Sequence, residues 1–168
     1  YPPNAEALRW LLEQVWPLVR RDRPDADLLV VGRGGPEDLI AKPGDGVTIA
    51  GFVPEMQPWF DRAQVVLVPI LSGGGTRLKV LDGLASGRPL VSTTAGAAGV
   101  TVVDGETIVI ADEAERFAAE TVALLCDPAR AQAIGAAGRQ LAERRYDWQA
   151  IGDVLERTLS DVAARAPR

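Results

Sequence analysis

Short, almost fully apolar runs alternate with longer stretches of helical periodicity along this chain. The runs cover residues 28–31, 47–50, 65–69, 90–93 and 108–110. Strands of this kind are typical of parallel sheets that are buried on both faces. Because parallel strands need helical crossovers, the pattern predicts an α/β domain with a Rossmann-like, doubly wound parallel sheet and helices on both faces.

Apolar residues at spacings of three and four predict the helices. The first helix has Asn4 as its N-cap and ends before Pro24, and a short helix covers residues 56–62. Another helix begins near Thr76 and has its body at residues 80–86. Three more helices, which we expect to pack over one edge of the sheet, cover about residues 113–125, 128–145 and 148–164.

The turn Gly73-Gly74-Gly75 and the helix after it form the strongest candidate site. The turn follows the third predicted strand, and ligands of such sheets bind beyond the carboxyl ends of the strands. Glycines leave backbone amides uncovered, and a helix start adds free N–H groups and the positive end of a dipole. Arg77 and Lys79 add positive charge, and Asp82 adds a carboxylate about two turns into the helix. These features predict a site for a phosphorylated ligand with hydroxyl groups, such as a nucleotide sugar.

Each feature of this turn also has a purely structural explanation. Glycines before a helix are common for packing reasons, and Lys79 and Asp82 have the spacing of an ion pair on one helix face. The apolar face of the helix is expected to consist of Leu78, Leu81, Leu84 and Ala85. The position of the glycines after a buried strand and before two cations favours anion binding.

Composition and charge argue against several classes of function. The chain has 168 residues, 47% of them hydrophobic, which suffices for one domain with a substantial core. A net charge of −5 without a massed basic patch argues against nucleic-acid binding. The chain has no histidine, so the commonest metal ligand and general base are missing, and we expect no metal and no cofactor.

Two further features bear on the environment of the protein. No apolar run approaches the roughly 18 residues that span a bilayer, so a cytoplasmic protein is the default expectation. The single cysteine, Cys126, cannot form a disulfide within the chain and lies in an apolar stretch. We therefore expect a buried thiol.

Three segments carry a resemblance to a known family. Residues 51–54, 66–69 and 73–93 resemble the donor-binding, C-terminal half of group 1 glycosyltransferases. These are retaining enzymes of the GT-B architecture, in which two Rossmann-like domains face each other across a cleft. The similarity extends from the opening Pro3-Asn4 helix to the closing turn at residues 146–148.

The resemblance implies roles for particular residues. The turn Gly51-Phe52-Val53 would lie against the base of the donor nucleotide, and Asp82 would bind its ribose. The diphosphate would be held by the glycine turn and the residues after it: Gly73, Gly74, Gly75, Thr76, Arg77, Leu78 and Lys79. The first of the two acids typical of the family falls on Gly74, which has no side chain. No catalytic residue and no metal site are assigned on this chain.

The resemblance also implies how the domain is used. Residues 1–168 would form a single nucleotide-sugar-binding domain, one half of a two-domain enzyme whose acceptor domain and first strand precede residue 1. A nucleoside-diphosphate sugar, for example a UDP sugar, would be the donor substrate. The other domain would bind the acceptor and make any peripheral membrane contact, so we expect residues 1–168 alone to be inactive.

Other functions remain open at this point. One is half of a nucleotide-sugar epimerase built on the same plan, and another is a non-catalytic nucleotide-sugar-binding module in which Gly74 marks lost activity. A dinucleotide-dependent dehydrogenase is less favoured, because no strand is followed by G-x-G-x-x-G with an acid about 20 residues later. The base, the sugar, the acceptor and the oligomeric state are not specified by the sequence.

Overall fold

The computed structural model describes residues 2–75 and 78–165, with side chains as far as Val162. Its strands are β1 (Leu28–Val31), β2 (Val47–Gly51), β3 (Val66–Val68), β4 (Leu90–Ser92) and β5 (Val109–Ile110). β1 pairs with β2, and the second sheet has the order β3-β4-β5. All of these pairs are parallel, as the apolar runs predict.

Helices connect the strands and close the chain. The segment before β1 contains α1 (Pro2–Trp10), a π-helical turn (Leu11–Val15) and α2 (Trp16–Asp22). The later helices are α3 (Glu37–Ala41), α4 (Gln57–Arg62), α5 (Leu78–Ala85), α6 (Thr94–Ala97), α7 (Ala114–Cys126), α8 (Pro128–Arg145) and α9 (Trp148–Arg165). This alternation of strand and helix confirms the predicted α/β class.

Two apolar clusters cover the two faces of the strands. One contains Val91 together with Trp10 and Phe117, whose rings are 5.3 Å apart and nearly perpendicular. The other contains Leu84 and Leu90. Leu90 and Val91 are neighbours in β4, so their side chains point to opposite faces, and both are fully buried.

Glycines allow α8 to lie close to the turn after α5. A Cβ at Gly138 would be 2.8 Å from the Leu84 side chain, and one at Gly135 would overlap the carbonyl oxygen of Gly87. The Asp127 side chain caps α8 by accepting a hydrogen bond from the N–H of Arg130. Close packing therefore fixes this helix against α5 and the turn after it, and the side-chain cap stabilises its start.

The first helix differs from the prediction in two ways. The assignment of Asn4 as N-cap is wrong, because α1 begins before it, and the Asn4 side chain instead accepts a hydrogen bond from Lys79. The periodicity also did not predict the π-helical turn, after which the N–H of Trp16 bonds to the carbonyl of Leu11. Pro17 cannot donate a hydrogen bond and its ring crowds the preceding turn, which accounts for the wider turn.

Other local expectations are also corrected. α5 buries only part of the predicted face: Leu84 is buried as predicted, but Leu78 is 68% exposed and Ala85 is exposed. Its buried residues are Val80, Gly83 and Leu84. Cys126 is exposed rather than buried, because it is the last residue of α7. The short helices α3 and α6 were not predicted, since four or five residues give too little periodicity to detect.

The strands pair in two groups rather than as one uninterrupted sheet. Every residue of β4 is fully buried. In β1 only Leu28 is buried, and in β3 only Val68, while their other residues are half-buried. An open cleft of about 1360 Å³ lies between β1 and β3. We call this space the central cleft.

Candidate functional site

The central cleft runs along the strands from one edge of the sheets to the other. Its two long walls are β1 and the segment 65–70, which contains β3. At the carboxyl ends of the strands it is lined by the turn at residues 32–35, by Gly51 and Phe52, and by Lys79 and Asp82 of α5. This is the edge at which ligands bind in open α/β sheets.

The turns after β1 and β2 are joined at this edge. The N–H of Gly32 donates to the carbonyl of Gly51, at a distance of 2.8 Å. Gly51 has a φ of +70°, a conformation that favours glycine, and this lets the chain turn sharply out of β2. The next side chain, Phe52, is 64% exposed, and the Arg33 guanidinium lies 4.4 Å from the centre of its ring. An aromatic face and a cation therefore stand together at the mouth of the cleft.

α5 supplies a cation and a carboxylate to the same space. Lys79 and Asp82 are both exposed and line the cleft. Between them and the core lies Gly83, where a Cβ would be 2.9 Å from the fully buried Leu90 side chain. The absence of that Cβ lets α5 lie close to β4, which sets the position of the two polar side chains.

Polar residues of α1 contact this part of the chain. Asn4 Oδ1 accepts a hydrogen bond from Lys79 Nζ at 2.6 Å. Glu6 Oε2 accepts one from Ser72 Oγ at 2.8 Å. The start of α1 therefore holds both the glycine turn and the first turn of α5. These contacts were not predicted from the sequence, because they join residues more than sixty positions apart.

The glycine turn presents an open backbone. Gly73 and Gly75 have φ values of 109° and 85°, which favour glycine. A Cβ at Gly74 or Gly75 would meet no heavy atom within 4 Å, so the main chain is accessible there. An uncovered turn before a helix is the arrangement that binds anions elsewhere.

The structure brings together only part of the predicted set. Gly51, Phe52, Lys79 and Asp82 all line the central cleft. Other members are not among its lining residues in the described part of the chain: Val53, Gly73, Gly74, Gly75 and Leu78. Thr76 and Arg77 lie outside the described residues. Arg33 was not predicted as a site residue, although its position directly after an apolar strand indicates the ligand-binding edge of the sheet.

Charged groups also line the opposite end of the cleft, at the start of β1. The guanidinium of Arg23 donates to both carboxyl oxygens of Asp25, and this lowers the pKa of Asp25 to about 2. Arg23 also donates to the sulfur of Cys126 at 3.4 Å. Within residues 2–75 and 78–165, no three His, Cys, Asp or Glu side chains cluster in a way that could hold a metal ion.

Comparison with known proteins identifies the family. Residues 1–127 match the family model described as "Glycosyl transferases group 1". The chain belongs to the group 1 glycosyltransferase family. One relative is the GDP-mannose-dependent alpha-(1-6)-phosphatidylinositol monomannoside mannosyltransferase of Mycolicibacterium smegmatis, which is 30% identical over 89% of this chain and 44% of its own length.

Solved structures of glycosyltransferases share the fold of this group 1 chain. Anabaena Alr3699/HepE in complex with UDP and glucose matches with a TM-score of 0.75 and 16% identity, over 95% of this chain and 45% of that chain. The C-terminal domain of LpcC, a glycosyl transferase group 1 family protein from Francisella tularensis, matches with a TM-score of 0.70 and 18% identity, over 87% of this chain and 80% of that chain.

The chain is shorter than its curated relatives. The chain spans 32% to 44% of the length of the first curated relatives that it matches. Among the helices in the described residues, none is both long and apolar enough to cross a membrane.

Proposed function

We propose that this domain binds the nucleoside-diphosphate sugar donor of a glycosyltransferase. The observation that carries the proposal is the grouping of Phe52, Arg33, Lys79 and Asp82 around one cleft at the carboxyl ends of the strands. A nucleotide sugar has a flat base, a ribose and a charged diphosphate, and this grouping offers a complementary group for each. In this role the domain would be the donor half of an enzyme that transfers a sugar with retention of configuration.

The polar groups have distinct tasks in this proposal. The turn at Gly51 and Phe52 forms a wall for the base, with the Phe52 ring available for stacking. Asp82 accepts hydrogen bonds from the ribose hydroxyls. Lys79 and the open backbone of the glycine turn neutralise the diphosphate, whose negative charge grows as the bond to the sugar breaks. Stabilisation of this leaving group would be the contribution of the domain to catalysis.

Relatives indicate the class of sugar. The Mycolicibacterium smegmatis relative is named for GDP-mannose, and the Anabaena structure contains UDP and glucose. Mannose and glucose are both hexoses, so we propose a hexosyl donor. The two nucleotides differ in their base, which leaves uracil and guanine as the bases to compare.

Calorimetry with two nucleotides and one variant tests the site. UDP and GDP should bind more tightly than the matching 2′,3′-dideoxynucleotides, which lack the ribose hydroxyls. Asp82→Asn should reduce that preference about tenfold and hardly affect the dideoxynucleotides, because only the hydroxyl contact is weakened. Asp161→Asn, which makes the same charge change on α9, is the control. An equal loss for both kinds of nucleotide would exclude the ribose role, and absence of binding by any nucleotide would refute the proposal.

A non-catalytic binding module is the second candidate. It is favoured by one observation, the glycine at the position of the family's first acid. Gly74 is exposed, its φ is not positive, and an added side chain would meet nothing within 4 Å, so the fold accepts a glutamate there. If the module has lost activity with that acid, Gly74→Glu in the longer protein should raise sugar transfer from the donor. Transfer by the unmodified protein would rule this candidate out.

A further inference from the structure

Arg33 contacts an aromatic ring and no acceptor in the described part of the chain. Its Cζ lies 4.4 Å from the centre of the Phe52 ring, and Arg33 makes no hydrogen bond or ion pair to residues 2–75 or 78–165. Other arginines donate to a carboxylate, as Arg23 does to Asp25. A guanidinium has five N–H donors and no acceptor. Arg33 therefore offers donors to a ligand at the mouth of the central cleft.

The turns around this arginine and phenylalanine leave open space beside both side chains. A Cβ at Gly32, Gly34 or Gly51 would meet no heavy atom within 4 Å. The turn after β1 is nevertheless anchored, since a Cβ at Gly35 would lie 3.2 Å from the Leu8 side chain of α1. A flat group thus has room beside a cation that is carried on an anchored turn.

The two walls of the cleft differ in what they can bind. Lys79 and Asp82 belong to α5, which follows β3, whereas Arg33 and Phe52 follow β1 and β2. In the proposed donor site, α5 serves the diphosphate and the ribose, so the base lies against the other wall. A base that stacks on the Phe52 ring would share this ring with the guanidinium, and the base edge would meet the N–H donors of Arg33.

The four common bases differ in what their edges offer to such donors. Guanine has two adjacent acceptors, O6 and N7, and arginine binds this pair with two parallel hydrogen bonds. Uracil has the acceptor O4 without a second acceptor next to it. Adenine and cytosine carry an amino group, which would set donor against donor. A donor-only guanidinium therefore favours guanine over uracil, and uracil over the other two bases.

We propose that Arg33, held over the Phe52 ring, binds O6 and N7 of guanine and so makes this domain selective for a GDP sugar. The proposal rests on the donor site proposed above and names the base that this site accepts. Phe52 is the positioning residue, because its ring holds the guanidinium without occupying it with an acceptor.

Calorimetry with an altered base tests the contact at a single atom. GDP should bind at least about tenfold more tightly than 7-deaza-GDP, which lacks the N7 acceptor, and more tightly than UDP or ADP. Arg33→Lys keeps the charge but loses the planar fork of donors, so it should remove most of this preference. The exposed position of Arg33 makes a folding defect no explanation for such a change.

Arg62→Lys is the matched control. Arg62 also lies over an aromatic ring, with its Cζ 5.3 Å from the centre of the Trp59 ring, but it ends α4 just before β3 begins, at the amino ends of the strands. This variant should leave the preference for GDP over 7-deaza-GDP unchanged. Loss of the preference in both variants would contradict a contact that is specific to Arg33.

The remaining outcomes distinguish this proposal from the donor site itself. Equal affinities of the unmodified protein for GDP and 7-deaza-GDP, or for GDP and UDP, would overturn the role of Arg33 and leave the donor site intact. An equal loss of both guanine nucleotides in Arg33→Lys would mean that Arg33 acts on the phosphates, which also overturns the proposal. Absence of binding by any nucleotide would refute the donor site and this proposal together.

Discussion

The two sheets consist of the same kind of strand but reach different degrees of burial. β4 and its neighbours are covered on both faces by apolar clusters, and Leu90, Val91 and Ser92 are fully buried. β1 is just as apolar, but most of its residues are only half-buried. The difference lies in the neighbours of the strands, since β4 has a strand on both sides and β1 has one on only one side. β4 therefore lies at the centre of the core, while β1 and β3 border the central cleft.

The largest expected effect on stability comes from a change in the tightly packed helix α8. Gly135→Ala should lower the free energy of unfolding by about 3 kcal/mol, because the new Cβ would overlap the Gly87 carbonyl oxygen and the backbone cannot yield easily. Urea unfolding measures this change. Gly152→Ala is the control on the exposed helix α9, where a Cβ meets nothing within 4 Å, and it should be neutral or stabilising by up to about 1 kcal/mol. Equal effects of the two changes would contradict the difference in packing.

A pair of leucine truncations compares the two sheets directly. Leu90→Ala removes a fully buried side chain from β4 and should cost about 3 kcal/mol. Leu29→Ala removes a half-buried side chain from β1 and should cost about 1 kcal/mol in the 168-residue chain. Similar losses of stability for the two variants in the 168-residue chain would show that β1 and β4 do not differ in how tightly their side chains are packed.

The hydrogen bond from Lys79 to Asn4 links α5 to α1 at the candidate site. Lys79→Met should weaken binding of a nucleoside diphosphate by about 2 kcal/mol, roughly 30-fold, because a charged donor is lost. Asn4→Ala should weaken it by about 1 kcal/mol, since one hydrogen bond that positions the ammonium is lost.

The double variant decides whether Asn4 acts through Lys79. If it does, the combined loss in calorimetry should be no larger than that of Lys79→Met alone. Additive losses would mean that the two residues contribute independently.

The smallest expected effect concerns acid at the amino end of β1. Asp25 has a pKa of about 2 in the folded protein, because Arg23 donates to its carboxylate, against 3.8 for an unperturbed aspartate. A lowered folded pKa adds stability above about pH 4, and that stability is lost as the pH falls through 2. Asp25→Asn should make the urea midpoint less dependent on pH within this window. Arg23→Gln should have the same effect. If the urea midpoint depends on pH as strongly in both variants as in the unmodified protein, the pair of Arg23 and Asp25 does not contribute to the pH dependence of stability.

The sequence was sufficient for features that depend on neighbours along the chain. The five strands lie within one or two residues of their predicted bounds, because a strand that is buried on both faces is apolar at nearly every position. The bounds of α8 were predicted correctly, since Asp127 and Pro128 mark its start by local chemistry.

Features that depend on pairing across the fold were not predictable. Asn4 has the preferences of an N-cap, and only the folded chain shows that it bonds to Lys79 instead. The contact of Arg33 with Phe52 requires β1 and β2 to lie side by side, which the sequence does not specify. The roles of Gly73, Gly74, Gly75 and Asp82 in donor binding stay predictions, because their geometry permits binding without demonstrating it.

The fit between Gly83 and Leu90 has a consequence for how this family member can change during evolution. An alanine at position 83 would place its Cβ 2.9 Å from the fully buried Leu90 side chain, so the side chain at position 90 would have to shift or become smaller. Homologous sequences should therefore exchange residues at these two positions together. An alignment that shows them varying independently would mean that the helix carrying Lys79 and Asp82 sits at a different height above the sheet in those proteins.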